Sequence, residues 1–351
     1  MRIVVDINHP AHVHYFKNFI WEMQKKGHEF MITASDKDIA LTLLDLYHLP
    51  YSNLGSYGKG ILRKILNIPK LDVKMYNAVK NFRPDIFVSF GSPRAAHAAW
   101  FMRKPHIALE DTEHSVLANW LYIPFTDVIM TPECFLKYYG KKQIRFKGTT
   151  DLLYLHPNRF TPNPAILKDI RLTPDDTYFI VRFIAWDASH DIGVKGIEDK
   201  VAFVKTLERY GRVLITSEGE LPAELEKNKI TISPEKIHDL MYYATLFIGE
   251  SGTMASEAAC LGTYSILMDP ESIQKDGSHT FGVFKYLCGY DLLYVYNNEH
   301  DVLNKVNELI KNPDLKADGK KKRDRILKDN IDVTDYLVTF VEDYFKKQES
   351  Q

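Results

Sequence analysis

The chain has 351 residues, of which 45% are hydrophobic and 26% are charged, and its formal net charge at pH 7 is −1. This charge excludes a global field that would attract nucleic acid, and the length predicts about two domains. Three cysteines without a CxxC pair argue against a disulfide framework or a zinc knuckle. No segment reaches the ~18 apolar residues of a membrane span or forms a signal peptide, so the sequence predicts a cytoplasmic protein.

In the first half, short β-branched or aromatic runs alternate with amphipathic stretches, as in parallel sheets with crossover helices. A strand at 2–7 precedes apolar residues that recur at helical spacing, and Gly27 ends this helix. The further predicted elements are strands at 30–34, 83–91, 105–110 and 126–131 and a helix at 94–102. We predict a Rossmann-like domain over residues 1–155.

Residues 156–176 are rich in proline and asparagine and are interpreted as an extended linker. Beyond it lie predicted strands at 177–184, 212–217, 230–233, 245–250 and 264–269 and predicted helices at 198–209, 222–227, 236–244 and 253–261. They predict a second Rossmann-like domain over residues 156–332. The last segment, 333–351, contains an amphipathic helix that is a candidate to pack back onto the first domain. The basic run at 319–325 is interpreted as a solvated helix face.

The sequence GESGTMASEA (249–258) predicts a strand, a turn and the start of a helix. Free N–H groups and the positive end of the helix dipole meet at such a terminus and bind phosphate. Ser251 and Thr253 add hydroxyl donors, and Gly252 lets the backbone approach closely. Glu257, one helical turn after Thr253, can accept hydrogen bonds from both hydroxyls of a ribose. Alternatively, Ser251 is only a helix cap and Glu257 a solvated charge.

A longer stretch, 237–268, carries a resemblance to known proteins. Its sequence, IHDLMYYATLFIGESGTMASEAACLGTYSILM, resembles the donor-site segment of UDP-N-acetylglucosamine 2-epimerases and, more loosely, of MurG-type glycosyltransferases. Both are α/β proteins of the GT-B group, in which two Rossmann-like domains have parallel sheets facing across a cleft. The resemblance implies this fold here, with the turn at 251–253 on the diphosphate and Glu257 on the ribose. Ile237 is grouped with these nucleotide-binding residues.

Three stretches, HPAHVHYFKN (9–18), EDTEHS (110–115) and VRFIAWDASHD (181–191), together resemble a family of uncharacterised GT-B-like proteins, domain of unknown function 354. The chain departs from the epimerases in two motifs. NHPAH (8–12) stands in place of a basic GTRPE-like loop, and GSP (91–93) in place of GDT. The missing aspartate weakens the epimerase interpretation.

Glycosyl transfer requires a base for the acceptor hydroxyl and stabilisation of the leaving diphosphate, and it can proceed without a bound metal. In the first domain, His9 and His12 lie in the strand-to-helix turn and are candidate bases. His14 points elsewhere on the helix and is expected to be packed or solvated.

The acidic loop that follows the strand at 105–110 supplies further catalytic or acceptor-binding candidates. These are Asp111, Glu113 and His114. Neighbouring carboxylates can shift each other's pKa into the working range of a base. Alternatively, Asp111 and Thr112 cap the next helix.

In the second domain, Arg182 interrupts an apolar strand. It is a candidate to neutralise the diphosphate or, alternatively, to form a buried salt bridge. Two loops are expected near the donor sugar: Ser189 and His190 in the loop after this strand, and Gln274 and His279 after the strand at 264–269.

A zinc site in HPAHVH is disfavoured, because His12 and His14 diverge by about 200° on a helix, and no metal is predicted. The basic amphipathic stretch 57–74 either contacts an anionic membrane surface or packs as a core helix with a solvated edge.

Together these features predict a metal-independent glycosyltransferase with a UDP-sugar donor and no cofactor. We expect a cell-envelope glycan or a glycolipid as acceptor, and peripheral contact with the inner face of the membrane. The alternatives are a UDP-sugar 2-epimerase or hydrolase and a non-catalytic nucleotide-sugar-binding protein.

Overall fold

The computed structural model describes residues 1–58, 60–184, 196–274 and 277–349, with backbone only at 61–65 and 349. The chain forms two compact units. Unit 1 comprises Met1–Arg159 and Asn330–Gln351, and unit 2 comprises Phe160–Asp329.

The strands of the described residues pair in parallel wherever they are neighbours. They are β1 (Arg2–Ile7), β2 (Glu29–Ala34), β3 (Tyr51–Asn53), β4 (Ile86–Phe90), β5 (His106–Leu109), β6 (Val128–Pro132), β7 (Gln143–Phe146), β8 (Tyr178–Phe183), β9 (Arg212–Ser217), β10 (Leu246–Gly249), β11 (Tyr264–Met268) and β12 (Leu293–Tyr296).

Most of these strands are connected by α-helices. They are α1 (Pro10–Lys25), α2 (Ala40–Leu46), α3 (Ile61–Val79), α4 (Pro93–Met102), α5 (Val116–Tyr122), α6 (Leu152–Leu155), α7 (Ala165–Asp169), α8 (Lys200–Leu207), α9 (Ile237–Tyr243), α10 (Gly252–Cys260), α11 (Gly282–Cys288), α12 (Glu299–Leu309), α13 (Leu315–Asp329) and α14 (Val333–Glu349). Within the described part of the chain, no helix combines the length and the apolar character needed to cross a membrane.

Unit 1 is built on one sheet with the strand order β3-β2-β1-β4-β5-β6-β7. The apolar residues of β1 are fully buried, as expected for a central parallel strand covered by helices on both faces. The apolar positions that predicted α1 (Val13, Phe16, Ile20 and Met23) are buried as well. The last helix, α14, packs against α1 and α6 within this unit.

Unit 2 contains a sheet with the order β12-β11-β10-β8-β9. The central strand β10 is buried along its whole length. It pairs directly with β8, where Gly249 lies opposite Arg182. The carboxyl ends of these two strands are therefore neighbours at one edge of the sheet.

Three predicted elements differ from the structure. Residues 230–233 form no strand: Ile230 donates one backbone hydrogen bond to Ile215 of β9, and the chain then turns into a short 3₁₀ helix at Pro234. The expected helix at 222–227 is a 3₁₀ helix, Ala223–Asn228. The expected linker contains α7, which buries two apolar side chains.

The basic run at 319–325 is only partly a solvated helix face. It lies in α13, where Lys320 donates to the carbonyl oxygens of Tyr242 at 2.7 Å and Leu261 at 2.8 Å. Burial, and then the charge of Arg323, lower the pKa of Lys320 well below its usual value. Lys320 therefore binds carbonyl groups at the ends of α9 and α10.

Candidate functional site

The carboxyl end of β1 is organised around one fully buried carboxylate, Asp6. Arg94 donates to it at 2.7 Å from Nη2 and at 3.0 Å from Nε. The hydroxyls of Thr33 and Ser92 donate at 2.6 Å, and Asn8 Nδ2 donates at 2.8 Å. Burial alone raises the pKa of Asp6, but the charge of Arg94 and these hydrogen bonds outweigh burial and hold the pKa below its usual range. The network ties together the ends of three adjacent strands.

Sequence reasoning missed this ion pair, although its local causes are visible. Ser92 caps α4 by accepting the Ala95 N–H at 3.4 Å, and Pro93 occupies the first helical position. This start places Arg94 in the first turn, where it is 0% exposed. The available signal was the charge of Asp6 in an apolar strand, because a buried charge requires a partner.

His9 and His12 follow β1 directly. His9 is the cap of α1, and its Nδ1 accepts the Ala11 N–H at 3.2 Å. His12 Nδ1 accepts the Asn8 N–H at 3.3 Å. The expectation that either histidine is the catalytic base does not fit this geometry, because each Nδ1 is already occupied by a backbone proton and the hydrogen of the neutral ring is then on Nε2.

The surroundings of both rings also disfavour protonation. Burial, and then the charge of Lys37, lower the pKa of His9 to about 3. Burial, then His9 and Lys37, lower the pKa of His12 well below its usual value. Both imidazoles are neutral at pH 7.

His14 lies apart from this pair, as expected. Its buried ring stacks on Tyr154 with ring centroids 5.3 Å apart. No group of three or more His, Cys, Asp or Glu side chains among the described residues is placed to hold a metal ion.

The loop after β5 is held by Glu110, which is 2% exposed. Its Oε1 accepts the N–H groups of Asp111 at 3.1 Å and Thr112 at 2.8 Å, and its Oε2 accepts the Tyr122 hydroxyl at 2.9 Å. Burial raises the pKa of Glu110 to about 8. Gly91 has φ +48, and a Cβ there would lie 2.8 Å from Glu110 Oε2, so this position favours glycine.

The three predicted residues of this loop differ in their surroundings. Asp111 is partly exposed and accepts hydrogen bonds from the hydroxyls of Thr112, at 3.0 Å, and Thr150. Burial raises the pKa of Asp111. Glu113 is buried and accepts the backbone N–H of Leu136 at 3.1 Å, whereas His114 is exposed. The alternative that Asp111 caps the next helix is wrong, because Ser115 occupies the cap position of α5.

In unit 2, the predicted phosphate-binding turn connects β10 to α10. Ser251 is the helix cap, and its hydroxyl accepts the Met254 N–H at 3.4 Å. Gly252 is the first residue of α10, and a Cβ there would lie 2.6 Å from Phe284 Cζ. Ser251, Gly252 and Thr253 all remain partly exposed. The first turn of the helix is thus packed against Phe284 on one side and accessible to solvent on another.

Glu257 is not the solvated charge of the alternative interpretation. It is 4% exposed, and its Oε1 lies 3.0 Å from Nε2 of His238, which is also buried. His238 is the second residue of α9, which begins at the predicted Ile237. The pair therefore connects the start of α9 to the nucleotide-binding candidates on α10, a link that sequence reasoning missed.

Arg182 forms a salt bridge with Glu218, but this bridge is partly exposed and is not the buried one that was the alternative to diphosphate binding. Its Nη2 lies 2.7 Å from Oε1 of Glu218, while 21% of its side chain stays exposed. Between Arg182 and the turn lies the buried Glu250, which accepts the N–H groups of Ile184 at 3.0 Å and Ile197 at 2.7 Å.

The remaining predicted residues lie in two loops. Gln274 is exposed, and His279 is partly buried across a short antiparallel bridge that pairs residue 273 with 279. Burial, and then Lys285, lower the pKa of His279. Ser189 and His190 lie outside the described residues.

Comparison of the sequence with known proteins gives a family. A family model described as "Protein of unknown function (DUF354)" matches residues 1–346. The uncharacterized protein MJ0665 of Methanocaldococcus jannaschii is 25% identical over 316 residues, which cover 87% of this chain and 90% of that protein.

Comparison with solved structures gives the fold. UDP-GlcNAc 2-epimerase from Neisseria meningitidis, solved bound to UDP-GlcNAc, superposes with a TM-score of 0.68 at 14% identity, covering 98% of this chain and 100% of that one. MurG of Acinetobacter baumannii superposes with a TM-score of 0.58 at 14% identity, with the same coverage. The chain thus has the α/β fold with two parallel sheets of the GT-B group, as the sequence predicted.

Proposed function

The chain belongs to the DUF354 family, and we propose that it is a glycosyltransferase with a nucleotide-sugar donor, UDP-linked, and a cell-envelope glycan or glycolipid acceptor. The observation that carries this proposal is the start of α10. This helix N-terminus is formed by the capping Ser251, by Gly252, which has no room for a Cβ, and by Thr253. It is accessible and lies beside the end of β8. Such a terminus binds a diphosphate.

Each donor-binding residue has a defined role in this proposal. The N–H groups and hydroxyls at 251–253 bind the diphosphate, and Arg182 adds positive charge beside them. Glu257, held by His238, binds the ribose, and Ile237 lies with the nucleotide base at the start of α9. Because the helix terminus and Arg182 stabilise the leaving diphosphate, the proposed reaction requires no metal ion or cofactor.

For acceptor activation we propose Asp111 as the base. Its carboxylate removes the proton of the acceptor hydroxyl while the acceptor oxygen bonds to the anomeric carbon. The bond from that carbon to the diphosphate oxygen breaks, and UDP leaves with the electron pair. The raised pKa of Asp111 supports this role, because a more basic carboxylate accepts a proton more readily.

The acceptor class is proposed from the surface of unit 1. Leu66 and Val73 on α3 are 77% and 60% exposed, and Trp100 and Phe101 on α4 are 63% and 67% exposed. Lys70 lies between the first two along the helix, and Lys74 follows Val73. Exposed apolar side chains flanked by cations suit an anionic membrane surface, so the stretch 57–74 is proposed to contact the inner face of the membrane, where lipid-linked acceptors are reached.

A thermal-shift screen of UDP, UDP-GlcNAc and other nucleotide sugars tests the donor. A ligand at 100 times its Kd stabilises by about 2.7 kcal/mol, which raises the Tm of a unit of this size by roughly 5–11 °C. Glu257→Gln should abolish this shift, whereas the matched variant Glu224→Gln, at an exposed position of the same unit, should keep it. If no nucleotide sugar stabilises the wild-type protein, the donor proposal is wrong.

Product analysis tests the reaction. Incubation with the stabilising nucleotide sugar and a lipid-linked acceptor should give glycosylated lipid and free UDP. A free sugar or an epimer formed without acceptor would instead indicate a hydrolase or an epimerase. Binding without turnover across an acceptor panel would indicate a nucleotide-sugar-binding protein.

A further inference from the structure

His97 on α4 contacts two other helices of unit 1. Its Nδ1 lies 2.9 Å from Oδ2 of Asp72 on α3, and its Nε2 lies 2.9 Å from the carbonyl oxygen of Leu121 on α5. A carboxylate and a carbonyl oxygen can only accept hydrogen bonds, so each ring nitrogen must carry a hydrogen for both bonds to form. The geometry therefore requires the positively charged imidazolium.

The environment of the ring favours this charge. The side chains of His97 and Asp72 are 19% and 27% exposed, so solvent screens the pair only in part. Phe125 packs against the imidazole edge to face, with ring centroids 4.7 Å apart. Burial lowers the pKa of His97, but the hydrogen bond and charge of Asp72, together with the Leu121 carbonyl, outweigh burial and raise this pKa above its usual value.

Asp72 is the ionic partner in direct contact with His97. The other titratable or charged side chains on the elements around the pair are Arg94 on α4, Tyr57 before α3, Tyr76 on α3, His106 on β5 and Lys142 after α5. Arg94 is paired with Asp6 at 2.7 Å. Burial lowers the pKa of His106 to about 3, and the exposed Lys142 donates to the carbonyl oxygen of Ile123 at 3.2 Å. Both cations thus have partners of their own, and the charge that His97 meets directly is that of Asp72.

The contact lies where α3 becomes anchored to unit 1. Among the described side chains of α3, the first buried one is Leu71, followed at four-residue spacing by Met75 and Val79. Pro69, inside the helix, has no N–H to donate to the preceding turn. The leading segment of α3 (residues 61–70) therefore adjoins a weak point of the helix, and the contact between Asp72 and His97 lies directly after it.

We propose that His97 is a pH-sensitive clamp, which fixes the leading segment of α3 to α4 and α5 when the ring is charged and releases it when the ring is neutral. A neutral imidazole has one N–H and cannot donate to both Asp72 and Leu121, and its bond to Asp72 loses the assistance of charge. The stabilisation is therefore complete in acid, below the usual pKa of histidine, and is lost as the pH rises through the raised pKa of His97.

The clamp acts on the surface that is proposed to contact the membrane. Leu66 and Val73 on α3 are exposed, and Tyr76 of α3 lies edge to face on the exposed Phe101 of α4, with ring centroids 5.1 Å apart. A fixed α3 presents its apolar side chains at a lower entropic cost than a released one, so membrane contact should weaken in alkaline solution. This consequence rests on the proposed function, whereas the clamp itself does not.

The charge of His97 is tested by NMR of the full-length protein labelled with ¹⁵N-histidine. Long-range ¹H–¹⁵N correlations, assigned with His97→Gln, should show both ring nitrogens protonated at pH 6 and a titration midpoint above about 6.5. Asp72→Asn should lower this midpoint, whereas Asp38→Asn, at an exposed position of the same unit, should leave it unchanged. A neutral ring at pH 6, or a midpoint that Asp72→Asn does not lower, overturns the proposal.

Release of the leading segment is tested by hydrogen exchange. In the wild type, the protection factors of the backbone amides of residues 66–72, corrected for the intrinsic pH dependence of exchange, should fall by about three- to tenfold between pH 6 and 8.5. His97→Gln should show the lower protection at both pH values. Equal protection of the wild type at both pH values, or the same fall in His97→Gln, overturns the clamp. Circular dichroism shows whether His97→Gln folds, and Asp72→Asn provides a second reading if it does not.

Vesicles of phosphatidylcholine and phosphatidylglycerol test the consequence for the membrane. The wild type should co-sediment with them more strongly at pH 6 than at pH 8.5, and this difference should be smaller for His97→Gln. Equal differences in the two proteins would overturn the regulation of membrane contact by His97. If neither protein binds vesicles at either pH, the proposed membrane contact is wrong, while the NMR and exchange results still decide the clamp.

Discussion

Gly252→Ala offers a sharp test of the donor site, because it adds only one methyl group. Its Cβ would lie 2.6 Å from Phe284 Cζ, so the ring must retreat by roughly 0.9 Å to regain an ordinary carbon–carbon contact. Phe284 is 6% exposed and lies against Phe281 with centroids 5.1 Å apart, which leaves little room. Overpacking of this kind costs about 1–3 kcal/mol.

This cost divides between stability and binding. If it falls on the whole of unit 2, the Tm drops by about 2–4 °C for each kcal/mol. If it shifts the first turn of α10, UDP affinity measured by calorimetry falls by roughly 5- to 150-fold. The double variant Gly252→Ala/Phe284→Leu should recover part of either loss. Gly219→Ala is the matched control, because a Cβ at Gly219 meets nothing within 4 Å. If Gly252→Ala behaves like Gly219→Ala in both assays, the packing argument is refuted.

Three further predictions concern buried or partly buried polar groups. Arg94→Met should lower the free energy of unfolding of unit 1 at pH 7 by about 3–5 kcal/mol. This loss should shrink in acid. In the variant, burial raises the pKa of the unpaired Asp6, so the carboxylate becomes neutral as the pH falls. If urea titrations give the same loss at every pH from 8 to 5, the prediction is wrong. The transfer rate of the wild type should decline as the pH falls through the raised pKa of Asp111. Asp111→Asn should lower the rate by about 10²–10⁴-fold, and its rate should not show that decline. If the variant has the same pH–rate profile as the wild type, Asp111 is not the base. His238→Phe should weaken UDP binding by about tenfold or more. His238→Gln can still donate to Glu257 and should weaken it less. If calorimetry gives the same Kd for wild type and both variants, His238 does not position Glu257.

The fold follows from local signals in the sequence. Short runs of aliphatic and aromatic residues form β1, β8, β10 and β11. Strands of this kind are buried on both faces in parallel sheets. The strands β3, β7 and β12 were not predicted, because they are short and lie at the edges of their sheets. Whether a short edge segment forms a strand depends more on its pairing with one neighbouring strand than on its own pattern of residues.

The candidate sites were only partly predictable, for a different reason. The sequence places Ser251, Gly252 and Thr253 at a helix start because turn and cap preferences are local. It does not pair Asp6 with Arg94, which lies 88 positions away, or Glu257 with His238. Those partners meet only through tertiary packing, and they decide which polar groups remain available for a ligand.

The role of His9 and His12 shows the same limit on a smaller scale. The motif predicted imidazoles at the end of β1, and the structure has them there. Their protonation depends on two backbone N–H groups at 3.2 Å and 3.3 Å. Hydrogen bonds of this kind depend on the conformation of the turn. Residue type alone therefore suggested that one histidine is a base, whereas in the structure each neutral ring has an Nε2–H group that can donate.

The path of the chain affects the order in which the protein matures. Unit 1 is discontinuous, because residues 1–159 are completed only by α14. The carbonyl oxygen of Leu153 accepts hydrogen bonds from Thr334 of α14 at 2.6 Å and from Asn18 of α1 at 3.0 Å. Unit 2 is one continuous segment, and all of its residues are synthesised before α14. N-terminal domains usually fold first during synthesis, but here the second unit can reach its native state while the first still exposes the apolar surface of α1 and α6. A chain truncated after residue 329 and released from the ribosome should therefore bind chaperones more strongly than the 351-residue chain.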